Sequence, residues 1–100
     1  MIQGLVSYTT MNNLEKVIDT REPEEYHRRH VAGAINIPAR QFRFDRTPHD
    51  LRNTPLTAKI RVYCNNGQRA DDVLEILLAR GFTNSVDVTD DPAIRKALGT

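Results

Sequence analysis

The chain has one cysteine, Cys64, which closes the apolar, partly β-branched run Ile60-Arg61-Val62-Tyr63. A short polar loop, Asn65-Asn66-Gly67-Gln68, separates it from Arg69 and a helical pattern. The thiolate is the nucleophilic form of cysteine, and it is favoured where cations or unpaired N–H groups face the sulfur. The first N–H groups of a helix lack intrahelical partners, and the helix dipole attracts negative charge to them. A cysteine between a strand end and a helix start is therefore expected to have a stabilised thiolate and a lowered thiol pKa. Arg69 adds a fixed positive charge. The bland alternative is a buried, inert cysteine that serves as a small hydrophobe. The strand–loop–helix setting favours the functional reading.

Flanking elements must hold this loop in place. Ala70, Val73, Leu74, Leu77 and Leu78 follow the spacing of one buried helical face, and Gly81 marks the helix stop with Arg80 beside it. Upstream, Val17-Ile18-Asp19-Thr20 reads as a buried strand. Pro23 is suited to open a helix because its missing N–H is not needed there. Glu24 and Glu25 in the first turn and Arg28 and Arg29 near the end complement the dipole. They are expected to form the pairs Glu24–Arg28 and Glu25–Arg29 on a solvated face, with Tyr26 turned inward. Gly33 permits a tight turn, Ala34 to Ile37 form a short strand, and Pro38 closes it. His30 is expected to be a buried group that locks this turn by hydrogen bonding, in preference to carrying a proton.

From Ala39 to Lys59 a short helix and a loop are expected, broken by Pro48 and Pro55, with Phe42 and Leu51 as core anchors. Arg40, Arg43, Arg46 and Arg52 form either a basic rim or a solvated surface, and the second reading is preferred. Asn84 to Val88 makes a last strand, after which Asp91 caps a helix from Pro92 to Leu98. Near the start, Leu5-Val6 suggests an edge strand, and Thr9 or Thr10 caps a turn through Met11 and Leu14. Strands alternating with helices imply a mostly parallel sheet, whose ligands bind at the carboxyl ends of strands, where Cys64 falls.

Composition narrows the function classes. One hundred residues, 39% hydrophobic and 27% charged, fit a single soluble domain with one modest core. A formal net charge of +1 gives no electrostatic case for nucleic acid or membrane binding. A lone cysteine excludes an internal disulfide, and His27 and His49 have no partner at metal-ligand spacing, so neither metal nor cofactor is expected. No apolar run reaches transmembrane length, and no basic-then-apolar leader pattern is present. A cytoplasmic location is expected, or a periplasmic one where a leader has been removed.

Two stretches together carry a family resemblance. Val17-Ile18-Asp19-Thr20-Arg21-Glu22-Pro23-Glu24-Glu25-Tyr26, continuing from His30 to Pro38, resembles the first signature of the rhodanese domain. Val62-Tyr63-Cys64-Asn65-Asn66-Gly67-Gln68-Arg69, with the helix to Gly81-Phe82, resembles the second. The nearest variety is the small, single-domain, phage-shock-type thiosulfate sulfurtransferase. The resemblance implies an α/β fold over residues 1–100 with a five-stranded, mostly parallel sheet flanked by helices on both faces. It implies Cys64 as the nucleophile that carries sulfur as a persulfide. Backbone N–H groups of Asn65, Asn66, Gly67, Gln68 and Arg69 would cradle that sulfur, and Arg69 would help bind the donor. Asp19, Arg21 and His30 match scaffold positions near the site. The implied partners are a small anionic sulfur donor such as thiosulfate and a sulfur-acceptor protein or small thiol, with cyanide as acceptor in vitro. A monomer is expected.

The chain also departs from the family pattern. Arg29 stands where many members have glycine, and Ala70 where serine is frequent. Thr89-Asp90-Asp91-Pro92 replaces the common Gly-Gly after the last strand. Related phosphatases and arsenate reductases also use a Cys…Arg loop, but phosphatase loops place five residues between the two, against Asn65 to Gln68 here. A shorter ring of amides suits a sulfur atom better than a tetrahedral phosphate, so no phosphatase activity is expected. A non-catalytic rhodanese-like module in a sulfur relay, docking an acidic partner through the Arg40–Arg52 stretch, is the alternative.

Overall fold

Alternate residues on a strand point to opposite faces, and in the central strands of this chain both faces are buried. The computed structural model describes residues 14–45 and 47–100. Its elements are β1 (Glu15–Asp19), α1 (Pro23–Arg28), β2 (Ile35–Asn36), α2 (Gln41–Phe44), a 3-10 turn (His49–Leu51), β3 (Lys59–Tyr63), α3 (Gln68–Ala79), β4 (Ser85–Asp87) and α4 (Pro92–Leu98). The strands form a parallel sheet in the order β2-β1-β3-β4. Four strands lie among the described residues. The expected edge strand at Leu5-Val6 and the cap at Thr9 or Thr10 fall outside them, as does Arg46.

Register sets which residues share a face. Ile18 aligns with Ile35 and Val62, while Asp19 aligns with Asn36 and Tyr63. Ile18, Ile60 and Val62 therefore face one way, where they pack with Phe42, Leu51, Ala70, Val73 and Leu77. Tyr63 faces the other way and packs with Ala34, Ile94 and Leu98, joined by Tyr26. Helices thus cover both faces of the sheet, α2 and α3 on one and α1 and α4 on the other.

Several expectations shift in detail. Leu78 is 42% exposed because α3 packs on one sheet face and buries only a narrow stripe, Ala70, Val73 and Leu77. The outer strands are shorter than expected, β2 at Ile35–Asn36 and β4 at Ser85–Asp87, and each has one neighbour among the described residues. The flanking residues still bond to the sheet, Ile37 N–H to the Asp19 carbonyl at 3.0 Å and Val88 N–H to the Val62 carbonyl at 2.9 Å. Neither Glu24–Arg28 nor Glu25–Arg29 forms an ion pair among the described residues. Glu25 instead closes a capping box, its carboxylate accepting the Glu22 N–H at 3.0 Å, and reaches across to Arg69. Arg40 and Arg52 pair with Glu22 and Asp45 at 3.0 and 3.3 Å on the surface, where such pairs contribute little. The Asp91 side chain caps α4 by accepting the Ala93 N–H at 2.8 Å.

The topology also locates a crevice. From β1 the chain winds to β2 on one side, whereas from β3 it winds to β4 on the other. Such a reversal opens a gap at the carboxyl ends of the two central strands, the usual ligand position in open parallel sheets. Thr20 and Arg21 follow β1 into this gap, and Cys64 follows β3.

Candidate active site

Cys64 is fully buried, at 0% exposure. Its backbone N–H donates to Thr89 Oγ1 at 3.2 Å, which fixes the point where β3 ends and the loop begins. Its Sγ accepts the Gly67 N–H at 3.0 Å and lies 3.4 Å from the Ala70 nitrogen, while the thiol lies 3.8 Å from Asn66 Oδ1. Gly67 makes this possible. Its φ of +91° is left-handed, a region costly for a residue with Cβ, and it turns the N–H inward onto the sulfur. A Cβ there would sit 3.7 Å from Asp87 Oδ2, an ordinary contact, so backbone conformation and not space demands glycine. Two amides at a helix start therefore face the sulfur, an arrangement that favours negative charge on it.

The expected cradle of Asn65 to Arg69 concerns the outer sulfur of a persulfide, whereas the amides described here face Sγ itself. Gly67 contributes its N–H, and Ala70, one residue beyond Arg69, contributes another. The Gln68 N–H is diverted to Asn66 Oδ1 at 3.1 Å, because that side chain folds back in a local turn.

Arg69 does not face the loop alone. It donates to both Glu25 oxygens at 2.8 and 3.3 Å, and Asn65 Nδ2 donates to Glu25 Oε2 at 2.7 Å. The Arg69 bonds hold the Glu25 carboxyl down at about 2, overcoming the opposing effect of burial and aided by the Glu22 N–H, the Arg69 charge and Asn65. Arg69 is held above its ordinary value, first by Glu25 against desolvation and then by the charge and hydrogen bonding of Cys64. Since the folded Glu25 carboxyl is depressed from 4.5 to about 2, its contribution is complete above pH 4.5 and fades as the pH falls through about 2. Glu25→Gln is expected to cost roughly 1–2 kcal/mol at pH 7 after allowance for partial exposure, and almost nothing near pH 2. Urea midpoints of both proteins across this range check it, and parallel curves would show that the pair does not stabilise the fold.

Beneath the loop lies a buried ionic network. Asp19 accepts from Arg21 Nε and Nη2 at 3.0 and 2.9 Å, from the Arg21 N–H at 2.9 Å, and from the Tyr63 hydroxyl at 2.9 Å. Tyr63 in turn accepts the Val31 N–H at 3.0 Å. Burial drives the Tyr63 phenol well above its usual range. Burial alone would lower the Arg21 pKa, but the bonds and charge of Asp19 hold it above the ordinary value. Arg21 also donates to the Arg29 carbonyl and, through Nη1, to Asn65 Oδ1 at 3.3 Å. One buried cation thus ties the end of α1 to the cysteine loop.

Residues 7–91 match the family model described as the rhodanese-like domain. The chain belongs to this family. This rhodanese-like domain is 39% identical over 72 residues to the thiosulfate sulfurtransferase PspE of Escherichia coli strain K12, covering 70% of this chain and 64% of PspE. It is 25% identical over 83 residues to the putative sulfur carrier protein YrkF of Bacillus subtilis strain 168, covering 83% of this chain and 41% of YrkF. The chain therefore spans less than two thirds of either relative. An E. coli structure described as rhodanese with anions superposes with a TM-score of 0.65 at 35% identity, covering 75% of this chain and 85% of that one.

Placed in this rhodanese-like domain, the expected site residues divide into two groups. Cys64, Asn65, Asn66, Gly67, Gln68 and Arg69 form the loop, and Asp19 and Arg21 lie directly under it. His30 stands apart from the cysteine loop and is exposed, not buried. Its Nδ1 is 2.7 Å from the Tyr26 carbonyl, and its ring stacks on Tyr26 at 3.8 Å. Three contributors escape a sequence reading. Glu25 looks like a solvated helix residue, because nothing in local spacing points to Arg69, 44 positions away. Tyr63 reads as strand filler, although its alignment with Asp19 puts both on one face. Thr89 stands in the segment already marked as departing from the family pattern. Its hydroxyl donates to Asp87 Oδ1 at 2.6 Å while accepting the Cys64 N–H. The neighbouring Asp87 carboxylate favours the protonated form of Asp71 and holds that carboxyl above its ordinary value.

Proposed function

We propose that this domain is a sulfurtransferase in which Cys64 takes sulfane sulfur from a small anionic donor such as thiosulfate and delivers it to a thiophilic acceptor. The observation that carries this reading is the Cys64 Sγ set at a helix start, with the Gly67 and Ala70 amide nitrogens at 3.0 and 3.4 Å. The likeness to PspE supports the same donor. In the first half-reaction the Cys64 thiolate attacks the outer sulfur of thiosulfate. The new S–S bond forms as the old one breaks, sulfite leaves with the bonding pair, and Cys64 becomes a persulfide. In the second, an acceptor nucleophile attacks the outer persulfide sulfur and the electron pair returns to Sγ as thiolate. This is covalent catalysis in two steps, in which the Gly67 and Ala70 amides face the charge that develops on sulfur. Cyanide would leave as thiocyanate.

Intact mass spectrometry after incubation with thiosulfate tests the proposal. The expected result is the gain of one sulfur atom, removed by cyanide with release of thiocyanate. The full burial of Cys64 favours a second reading, a non-catalytic module in a sulfur relay. A thiol that gains no sulfur and resists alkylation in the folded protein would put that reading first.

A further inference from the structure

Parallel strands are joined by evenly spaced bonds from the N–H groups of one to the carbonyls of the next. Between β3 and β4 the Ile60 N–H donates to the Asn84 carbonyl at 3.1 Å. Four residues further along each chain segment, the same ladder would bring the Cys64 N–H to the Val88 carbonyl. The ladder breaks there. The Val88 carbonyl accepts the Asp91 N–H at 3.0 Å, in the turn that leads into α4. The Cys64 N–H goes instead to Thr89 Oγ1 at 3.2 Å.

That hydroxyl is held from behind. It has one proton and gives it to Asp87 Oδ1 at 2.6 Å, within the range of a charge-assisted bond to a carboxylate. The Thr89 N–H donates to the same oxygen at 2.9 Å. With its proton committed, Oγ1 can only accept from Cys64. Thr89 is 3% exposed and Cys64 0%, so the bond is shielded from water, and a buried N–H left without a partner is costly. Asp87 also reaches the loop itself, since a Cβ on Gly67 would lie 3.7 Å from its Oδ2. One carboxylate thus backs both Thr89 and the glycine whose N–H meets the sulfur.

We infer that Thr89, oriented by Asp87, is a positioning residue for Cys64, its hydroxyl replacing the lost ladder carbonyl so that the sulfur meets the Gly67 and Ala70 amides. The inference deepens the sulfurtransferase reading, on which its consequence for turnover rests. Thr89 acts through the Cys64 backbone. The two sulfur contacts, at 3.0 and 3.4 Å, weaken together when the cysteine shifts, and the thiolate is then less favoured.

Thr89→Val keeps the side-chain shape and removes the oxygen. Cys64 is the one cysteine of the chain, so its Cβ carbon resonance, followed through a pH titration, reports this thiol alone. The midpoint is expected to move to higher pH by about one in the valine variant, a tenfold weaker acid. On the acid limb, single-turnover sulfur loading from saturating thiosulfate should fall about tenfold, with little change in the half-saturating concentration. Thr89→Ser restores the oxygen and should return both close to the values of the unaltered domain. A merely structural role would lower the urea midpoint and leave the titration in place. A Cys64 signal that titrates alike in the unaltered domain and the valine variant, or that does not titrate in the unaltered domain, would overturn the inference. So would a serine variant displaced as far as valine. Should the valine variant not fold, Thr89→Ala removes the same oxygen and must displace the titration in the same direction. The titration needs no sulfur transfer, so a displaced midpoint in a domain that loads no sulfur would support the positioning role and count only against the sulfurtransferase reading.

Discussion

Cys64→Ser is expected to eliminate sulfur loading and to lower thiocyanate production by at least about a thousandfold, the scale of losing a covalent nucleophile. A serine oxygen is a poor nucleophile without a base, and among the described residues no carboxylate or imidazole hydrogen-bonds to Sγ. It faces the Gly67 and Ala70 amides, the Asn66 side-chain oxygen and the Arg69 guanidinium. The fold should tolerate the change, because serine is nearly isosteric and its hydroxyl can still accept the Gly67 N–H. A shift of the unfolding free energy beyond roughly 1–2 kcal/mol would show that the sulfur's packing matters more than its contacts suggest. Steady-state thiocyanate release and urea unfolding, measured on the same preparations, separate lost chemistry from lost structure. Serine retaining more than about a hundredth of the turnover would rule out a Cys64 persulfide as the main route.

Much of this arrangement is legible in the sequence because its causes are local. A helical stripe from Ala70 to Leu77, the Asp91-Pro92 start of α4 and the glycine turn at Gly67 each follow from rules spanning a few residues. Cys64 could therefore be placed between strand and helix from the chain alone. The supporting contacts were not legible, because they join residues brought together only by sheet register. Asp19 meets Tyr63 because β1 and β3 are parallel neighbours, and Glu25 meets Arg69 because the first turn of α1 lies near the start of α3. In the sequence Glu25 has its expected partner, Arg29, four residues away, and an exposed helical pair gains only a few tenths of a kcal/mol. A partner held at the rim of a buried loop outweighs that. The departure at Thr89 was visible as a departure, yet its consequence, a hydroxyl that takes the Cys64 N–H, needed the geometry.

Asp19→Ala is expected to be the most damaging change to stability, costing about 3–5 kcal/mol, the usual cost of removing one partner from a buried ion pair. Arg21 is only 5% exposed, and three of its nitrogens bond to Asp19. The Tyr63 hydroxyl would lose its acceptor as well. Against a total stability of roughly 5–15 kcal/mol, such a loss brings a domain of this size close to unfolding at room temperature. Tyr63→Phe should cost less, about 1–3 kcal/mol, since it orphans the Val31 N–H while leaving the ion pair in place. Urea midpoints rank the two, and an Asp19→Ala cost below about 1 kcal/mol would mean that Arg21 finds water instead. The pair Asp19→Leu with Arg21→Met discriminates further. Replacing a buried ion pair by apolar groups of similar volume is often nearly neutral, so this variant should recover most of the lost stability. It would not recover the bond from Arg21 to Asn65. A domain that folds well yet loads sulfur more slowly would therefore locate the network's value in holding the cysteine loop, not in the stability of the sheet.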